Sequence, residues 1–285
     1  MLRQRLSLTR PSAAVLCLFA VVSVALTGCT SSGAAIDRLA KSAGLQKQIV
    51  PGTLQAHIVY EKAGNPAGQP GRWFVFLEGD GTPWGNSGMQ PAADPTTRNP
   101  LALRLMLATD AAAIYVARPC YQGHNDAPQC SADRWTGGRY SNEVVASMAA
   151  VIASESGKLG ASDLVVVGYS GGGALAVLVA ERLQNIAAVI TIGANLDIAA
   201  WADHHHYLPL AQSLNPAESD QQHPWAEYHF SGARDSVVPG ATTDGYFNRY
   251  PKARRFIVER ADHICCWESD WPALLAGLPL ARESE

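Results

Sequence analysis

Residues 164–176, Leu-Val-Val-Val-Gly-Tyr-Ser-Gly-Gly-Gly-Ala-Leu-Ala, restrict the fold of this chain more than any other stretch. Four apolar residues in a row, three of them β-branched, read as a strand buried on both faces, and the Ala/Leu/Val-rich run that follows reads as a helix. Between them lies Gly-x-Ser-x-Gly, from Gly168 to Gly172. This predicts a sharp strand-to-helix turn, with small residues where neighbouring backbone comes close. Ser170 then stands exposed at the strand's carboxyl end, and the Gly171 N–H, at the helix N-terminus, is aimed where negative charge would develop on a substrate. A Gly-rich turn without chemistry has the same composition; the strand before and the helix after favour a nucleophile.

The chain has 285 residues, 47% hydrophobic and 16% charged, which suits one large α/β domain. A formal charge of −3 and the lack of any Lys/Arg cluster argue against nucleic acid as a partner. Residues 1–28 read as an export signal: Arg3, Arg5 and Arg10 precede an apolar run at 12–26, which is short for a spanning helix. Leu26-Thr27-Gly28-Cys29 then resembles the lipobox of bacterial lipoproteins, which makes Cys29 the lipidated first mature residue. Thr30, in place of Asp, fits outer-membrane sorting, so the expected location is the cell envelope with a lipid anchor in the membrane. Loss of 1–28 removes three arginines and no acid and moves the formal charge from −3 to −6.

Cys120, Cys130, Cys265 and Cys266 remain after Cys17 and Cys29 are set aside, an even number suited to an oxidising compartment. Cys120 and Cys130 are placed to staple a loop. Vicinal disulfides are strained, so Cys265 and Cys266 are as readily expected to pair elsewhere, and three connectivities are open. No Cys-x-x-Cys spacing supports a metal site, and none is expected.

Residues 29–52 read as a tether that becomes a short helix. Strands are expected at 53–60, 72–77, 111–116, 164–168, 187–192, 225–231 and 255–258, and helices at 97–108, from Ser141, after Ser170, at 240–250 and at 268–275. The alternation implies a mostly parallel sheet with helices on both faces, in a domain spanning 53–285. Residues 197–222 interrupt it after the 187–192 strand, counted as the sixth of the sheet with one strand unassigned, and read as a cap. Glu78-Gly79-Asp80-Gly81, after the 72–77 strand, is the expected source of a second oxyanion donor, the Asp80 N–H first and Gly81 next. The long segment 122–140 carries Cys130 and Trp135, with Cys120 just before it, and its length points to a functional or cross-linked loop.

A serine hydroxyl needs a base and a group that orients the base. Asp235 follows the 225–231 strand, in Gly-x-x-Asp-x-x-Val-Pro; His263 follows the 255–258 strand, in Asp-His. Ser170, Asp235 and His263 thus occur in order, 65 and 28 residues apart. Asp197, after the strand that follows the elbow, is the rival acid. Asp262 reads as a turn former. His204, His205 and His206 diverge on any extended backbone and read as cap loop, and His57, His124, His223 and His229 lack motif context.

With these motifs the sequence resembles the α/β-hydrolase superfamily over roughly residues 53–280. It is also similar to a group of exported proteobacterial hydrolases carrying Leu-Glu-Gly-Asp-Gly, Ala-Arg-Pro-Cys and His-x-Cys-Cys-Trp. Where lipases and esterases often have His-Gly, this chain has Glu78-Gly79, a departure that leaves the backbone donor in place. The resemblance implies an α/β-hydrolase fold and a serine hydrolase, of carboxylesterase type, that needs no cofactor and acts on a small acyl substrate. A peptidase or thioesterase with the same triad, or a non-catalytic envelope lipoprotein, are the alternatives.

Overall fold

The computed structural model describes residues 31–64, 71–85 and 88–280. The signal segment and Cys29 lie outside the described residues. The body of the protein is an eight-stranded sheet: β1 (Gln46–Val50), β2 (His57–Lys62), β3 (Arg72–Leu77), β4 (Ala113–Val116), β5 (Asp163–Tyr169), β6 (Ile186–Ile192), β7 (Ala226–Gly232) and β8 (Arg254–Val258). Their spatial order is β1-β2-β4-β3-β5-β6-β7-β8. β1 and β2 run antiparallel to their neighbours, and every pairing from β4 to β8 is parallel. This is a mostly parallel α/β sheet interrupted after its sixth strand, as the sequence implies.

The strand pleat divides the core between two layers. Val75, Leu77, Val166 and Val189 face a layer formed by α3 (Asn142–Lys158), α4 (Gly171–Ala180) and α6 (Asp244–Arg249). Phe74, Phe76, Val165, Val167 and Ile190 face the opposite layer, which holds α1 (Ser32–Ser42), α2 (Leu101–Leu107) and α7 (Trp267–Ala276). Every residue of α4 is buried, which is why its sequence is apolar all round and carries no amphipathic stripe. α3 starts where Ser141 caps it, its hydroxyl accepting the Val144 N–H at 3.4 Å.

Two boundaries differ from the expectation. Residues 29–52 are not only a tether: α1 buries Ile36 and Ala40 in the core and β1 pairs with β2 from Gln46↔Glu61 to Val50↔His57. The folded unit therefore begins at Ser32, not at 53. β1 escapes notice because it is an edge strand with one buried residue, Val50, so its polar sequence lacks the alternation of a half-buried strand. The helix expected at 97–108 starts only at Leu101, since Pro100 biases the residue before it away from helical geometry. The cap is slight: α5 (Ile198–His204), a single 3₁₀ turn at Pro216–Glu218 and irregular chain. No helix of the described residues is long and apolar enough to cross a membrane.

At the amino ends of β3 and β5, Arg72 grips Asp163 in a two-pronged ion pair, Nε to Oδ1 at 2.7 Å and Nη2 to Oδ2 at 2.8 Å, with both side chains buried. Removing one partner of such a pair leaves a buried charge uncompensated. Arg72→Met is expected to lower stability by about 3 kcal/mol, read as a shift of the urea unfolding midpoint at unchanged slope.

Candidate active site

β5 delivers Ser170 at its carboxyl end with φ 53° and ψ −125°, in the left-handed half of backbone space that a residue with a side chain occupies only under constraint. The constraint is visible. The Ser170 N–H donates to the Ile192 carbonyl of β6 at 2.9 Å, and the Gly173 N–H returns to the Ser170 carbonyl at 2.9 Å. A Cβ on Gly172 would collide with the Leu77 and Glu78 carbonyls, and one on Gly171 with the Asp80 carboxylate and the Tyr140 hydroxyl. Glycine is thus required on the helix side of the turn by close approach.

The structure brings Ser170, His263 and Asp235 together. Ser170 Oγ is 3.0 Å from His263 Nε2, and His263 Nδ1 is 2.8 Å from Asp235 Oδ2. The other Asp235 oxygen accepts the Val237 and Val238 N–H groups at 2.9 and 2.8 Å, so the carboxylate is held from both sides. Tyr169 packs its ring 5.2 Å from the imidazole and donates its hydroxyl to the His263 carbonyl at 3.0 Å. Asp262 behaves as the turn former: its Oδ1 accepts the Ile264 and Cys265 N–H groups at 2.8 and 2.6 Å. Trp267 Nε1 donates to the Asp262 carbonyl at 2.9 Å, which accounts for the tryptophan of the His-x-Cys-Cys-Trp motif.

The loop after β3 lies against the elbow. Asp80 presents its carboxylate to Arg118 (2.7 Å), Arg139 (2.9 Å) and the Tyr140 hydroxyl (2.7 Å), and its carbonyl accepts the Tyr121 hydroxyl at 3.1 Å. Burial alone pushes this carboxyl up, but the two guanidiniums outweigh it and hold it below the usual carboxylate range. Arg118 is itself buried, with the Tyr140 and Tyr121 ring centroids 5.3 and 5.7 Å from its guanidinium carbon. Asp80 therefore fixes the 79–81 backbone, and no hydrogen bond engages the Asp80 or Gly171 N–H among the described residues. Glu78 points the other way: buried, it accepts the Gly79 N–H at 3.2 Å and the Ala102 N–H at 3.3 Å, tying the loop to α2. Burial against these hydrogen bonds pushes its carboxyl up to about 7.

The long 122–140 segment acts as a buttress, supplying Arg139 and Tyr140 to Asp80. A disulfide between Cys120 and Cys130 closes the stretch between them. The second disulfide selects one of the three connectivities left open: Cys265 joins its neighbour Cys266, in a turn where Cys266 takes φ 80°. The turn held by Asp262 directs the two sulfurs to each other, a local arrangement that pair spacing does not reveal.

The rival residues are engaged elsewhere. Asp197 caps α5, accepting the Ala200 N–H and the Asn215 Nδ2 at 3.1 Å each. His205 Nε2 bonds the Val237 carbonyl at 2.9 Å, joining the cap to the Asp235 turn. His57 sits between the Ala117 carbonyl and Ser147 Oγ (2.8 and 2.7 Å), and burial pulls it down to about 4, so it stays neutral. His124 donates its backbone N–H to the Tyr121 carbonyl at 3.2 Å, inside the stretch closed by the Cys120–Cys130 disulfide. His223 and His229 flank Glu227 at 2.5 and 3.0 Å, in a buried cluster that also takes the Tyr246 hydroxyl.

Above Ser170 opens a cavity of about 1000 Å³. Trp201, Leu208, Leu210 and Val238 give it an apolar wall from the cap and the Asp235 turn, with Trp84 opposite. Asn195, buried beside the elbow, also lines it, and its Oδ1 has no hydrogen-bond partner among the described residues. Sequence reading missed the roles of Asn195, Tyr169 and the Arg118/Arg139/Tyr140 clasp; of these Tyr169 stood in the elbow motif and Arg118 in Ala-Arg-Pro-Cys.

Fold and site together have the form of an α/β-hydrolase, and comparison with solved structures agrees at the level of fold. No family model matches the chain, and no curated protein matches it. Similar structures include a puromycin-hydrolyzing peptidase of Mycobacterium tuberculosis (16% identity, TM-score 0.56, 77% of this chain and 36% of that one). An esterase domain from a Rhodothermus marinus protein gives 13% identity and TM-score 0.53 over 81% and 94% of the two chains. A membrane phospholipase A described as a bacterial virulence factor gives 14% and 0.54 over 93% and 97%. The chain spans about a third of the length of the first of these.

Glu78 gives a pH signature. Its folded value near 7 lies above the ordinary 4.5, so the native state holds this proton more tightly and its contribution is full below 4.5 and lost as pH rises through 7. Glu78→Gln is expected to flatten the fall of stability between pH 4.5 and 7, measured by urea unfolding at several pH values. An unchanged slope there contradicts the assignment.

Proposed function

We propose that the protein is a serine hydrolase that cleaves acyl esters through an acyl-enzyme. The hydrogen-bonded chain Ser170–His263–Asp235 at the floor of an apolar cavity is the observation that carries this reading. His263 Nε2 takes the Ser170 proton as Oγ attacks the acyl carbonyl, and Asp235 holds the ring in the tautomer that leaves Nε2 free and stabilises the imidazolium. The unengaged N–H groups of Gly171 and Asp80 receive the oxyanion. His263 then protonates the departing alcohol, and water, deprotonated by the same imidazole, releases the acid. No step calls for a metal or cofactor.

The elbow does not itself choose the leaving group, so a thioesterase or peptidase shares this machinery. The apolar walls from Trp201, Leu208, Leu210 and Val238 favour an acyl chain over a charged peptide. Three converged side chains weigh against a non-catalytic envelope scaffold. The proposed setting is the bacterial envelope, with residues 1–28 removed and Cys29 acylated in the manner of exported proteobacterial lipoproteins.

Ser170→Ala is expected to lower kcat/KM on a short p-nitrophenyl ester by at least about 10⁴-fold, and Asp235→Asn by about 10⁴-fold. Parallel kinetics on an ester, a thioester and an aminoacyl anilide rank the leaving groups, with the ester expected fastest. Undiminished ester turnover in Ser170→Ala contradicts the reading.

A further inference from the structure

Nine large apolar side chains are exposed among the described residues; Ile49, Leu214 and Ile257 stand apart, and the other six gather at one place. Trp84, Tyr207, Leu208, Val237 and Ile264 line the cavity above Ser170, and Met89 lies in the same short hairpin as Trp84. They come from four separate segments: the hairpin after β3, the cap, the turn after β7 and the loop after β8. Leu208 is 87% exposed, Met89 79% and Ile264 58%. Folding gains nothing from leaving such groups in water, and a concentrated apolar rim marks a surface that meets something apolar. The cavity wall presents no exposed carboxylate among the described residues, and Arg98, exposed on it, has the sign that an anionic lipid surface attracts.

The amino end of α1 lies on the same side of the sheet. Gly33 packs on the Gln122 backbone, where an added Cβ would stand 3.0 Å from Gln122 Cα. The Gln122 N–H donates to Thr96 Oγ1 at 2.6 Å, and Thr97, the next residue, lines the cavity. Cys29 precedes Gly33 by four residues, a span of at most about 14 Å of extended chain. On the lipid-anchor reading, a lipid on Cys29 tethers the bilayer within that reach of Gly33.

We infer that the cavity mouth is a bilayer-docking surface and that the substrate class is an ester-linked acyl lipid of the membrane carrying the anchor. The apolar rim enters the acyl boundary, and an acyl chain passes from the leaflet into the cavity without crossing water. The cost of exposing an acyl chain to water grows with every methylene, so removing that passage favours long acyl chains over short ones. This rests on the ester-hydrolase and lipid-anchor readings above.

The test uses the full processed chain in phosphatidylcholine/phosphatidylglycerol vesicles, with Cys29 acylation verified by intact mass. Bromine-labelled acyl chains are expected to quench its tryptophan fluorescence, and Trp84→Phe to remove a distinct part of that quenching. Met89→Asp is expected to slow hydrolysis of dioleoylglycerol diluted in the same vesicles by at least tenfold, while soluble p-nitrophenyl acetate turnover stays within twofold. Absence of quenching in the acylated protein overturns the inference, as does vesicle-ester hydrolysis that Met89→Asp leaves unchanged. A wild-type protein that quenches but hydrolyses neither ester supports the docking surface and removes the hydrolase reading instead.

Discussion

The close approach of α4 to the loop after β3 is the contact on which the rest of the site depends. With glycine at 171 and 172, the helix start comes within contact of the Leu77 and Glu78 carbonyls and of the Asp80 carboxylate. That proximity forces Ser170 into its strained conformation, and it also sets the Gly171 and Asp80 N–H groups on neighbouring strand ends. The strain is held by β6 through the Ile192 carbonyl and by α4, whose ten residues are all buried. A local cost of order 1–3 kcal/mol is thereby offset by the packing of a whole helix.

Charge is used here to position backbone. The Asp80 carboxylate is fixed by Arg118, Arg139 and Tyr140, drawn from the chain after β4 and from the turn that precedes α3. Glu78, one glycine away, is turned into the interior and anchors the loop to α2 through backbone N–H groups. Burial pushes both acids flanking Gly79 up: at Asp80 the two guanidiniums outweigh it and hold the carboxyl below the usual range, whereas at Glu78 burial prevails and the carboxyl rises to about 7. A histidine is not required at the position of Glu78 for this geometry, because its task here is to brace backbone.

Much of this was legible in the sequence, and the reason is physical. Ser170, Asp235 and His263 each sit directly after a strand whose composition declares it, so their convergence follows from parallel-sheet topology. The Asp262 turn is equally local. Hidden were features decided by tertiary contact: Arg139 and Tyr140 lie in irregular chain, and their role depends on which loop they fold against. β1 carries too few apolar residues to announce a strand. The Cys265–Cys266 bond depends on a turn that the spacing of cysteines does not encode.

The central claim is that Ser170 is made nucleophilic by His263 and Asp235, and covalent trapping tests it most directly. A fluorophosphonate reacts with an activated serine without regard to substrate identity. The account predicts one stoichiometric adduct, located by peptide mass on Ser170, and its loss in Ser170→Ala and in His263→Ala. No adduct on folded protein, or an adduct on another residue that survives Ser170→Ala, would contradict it.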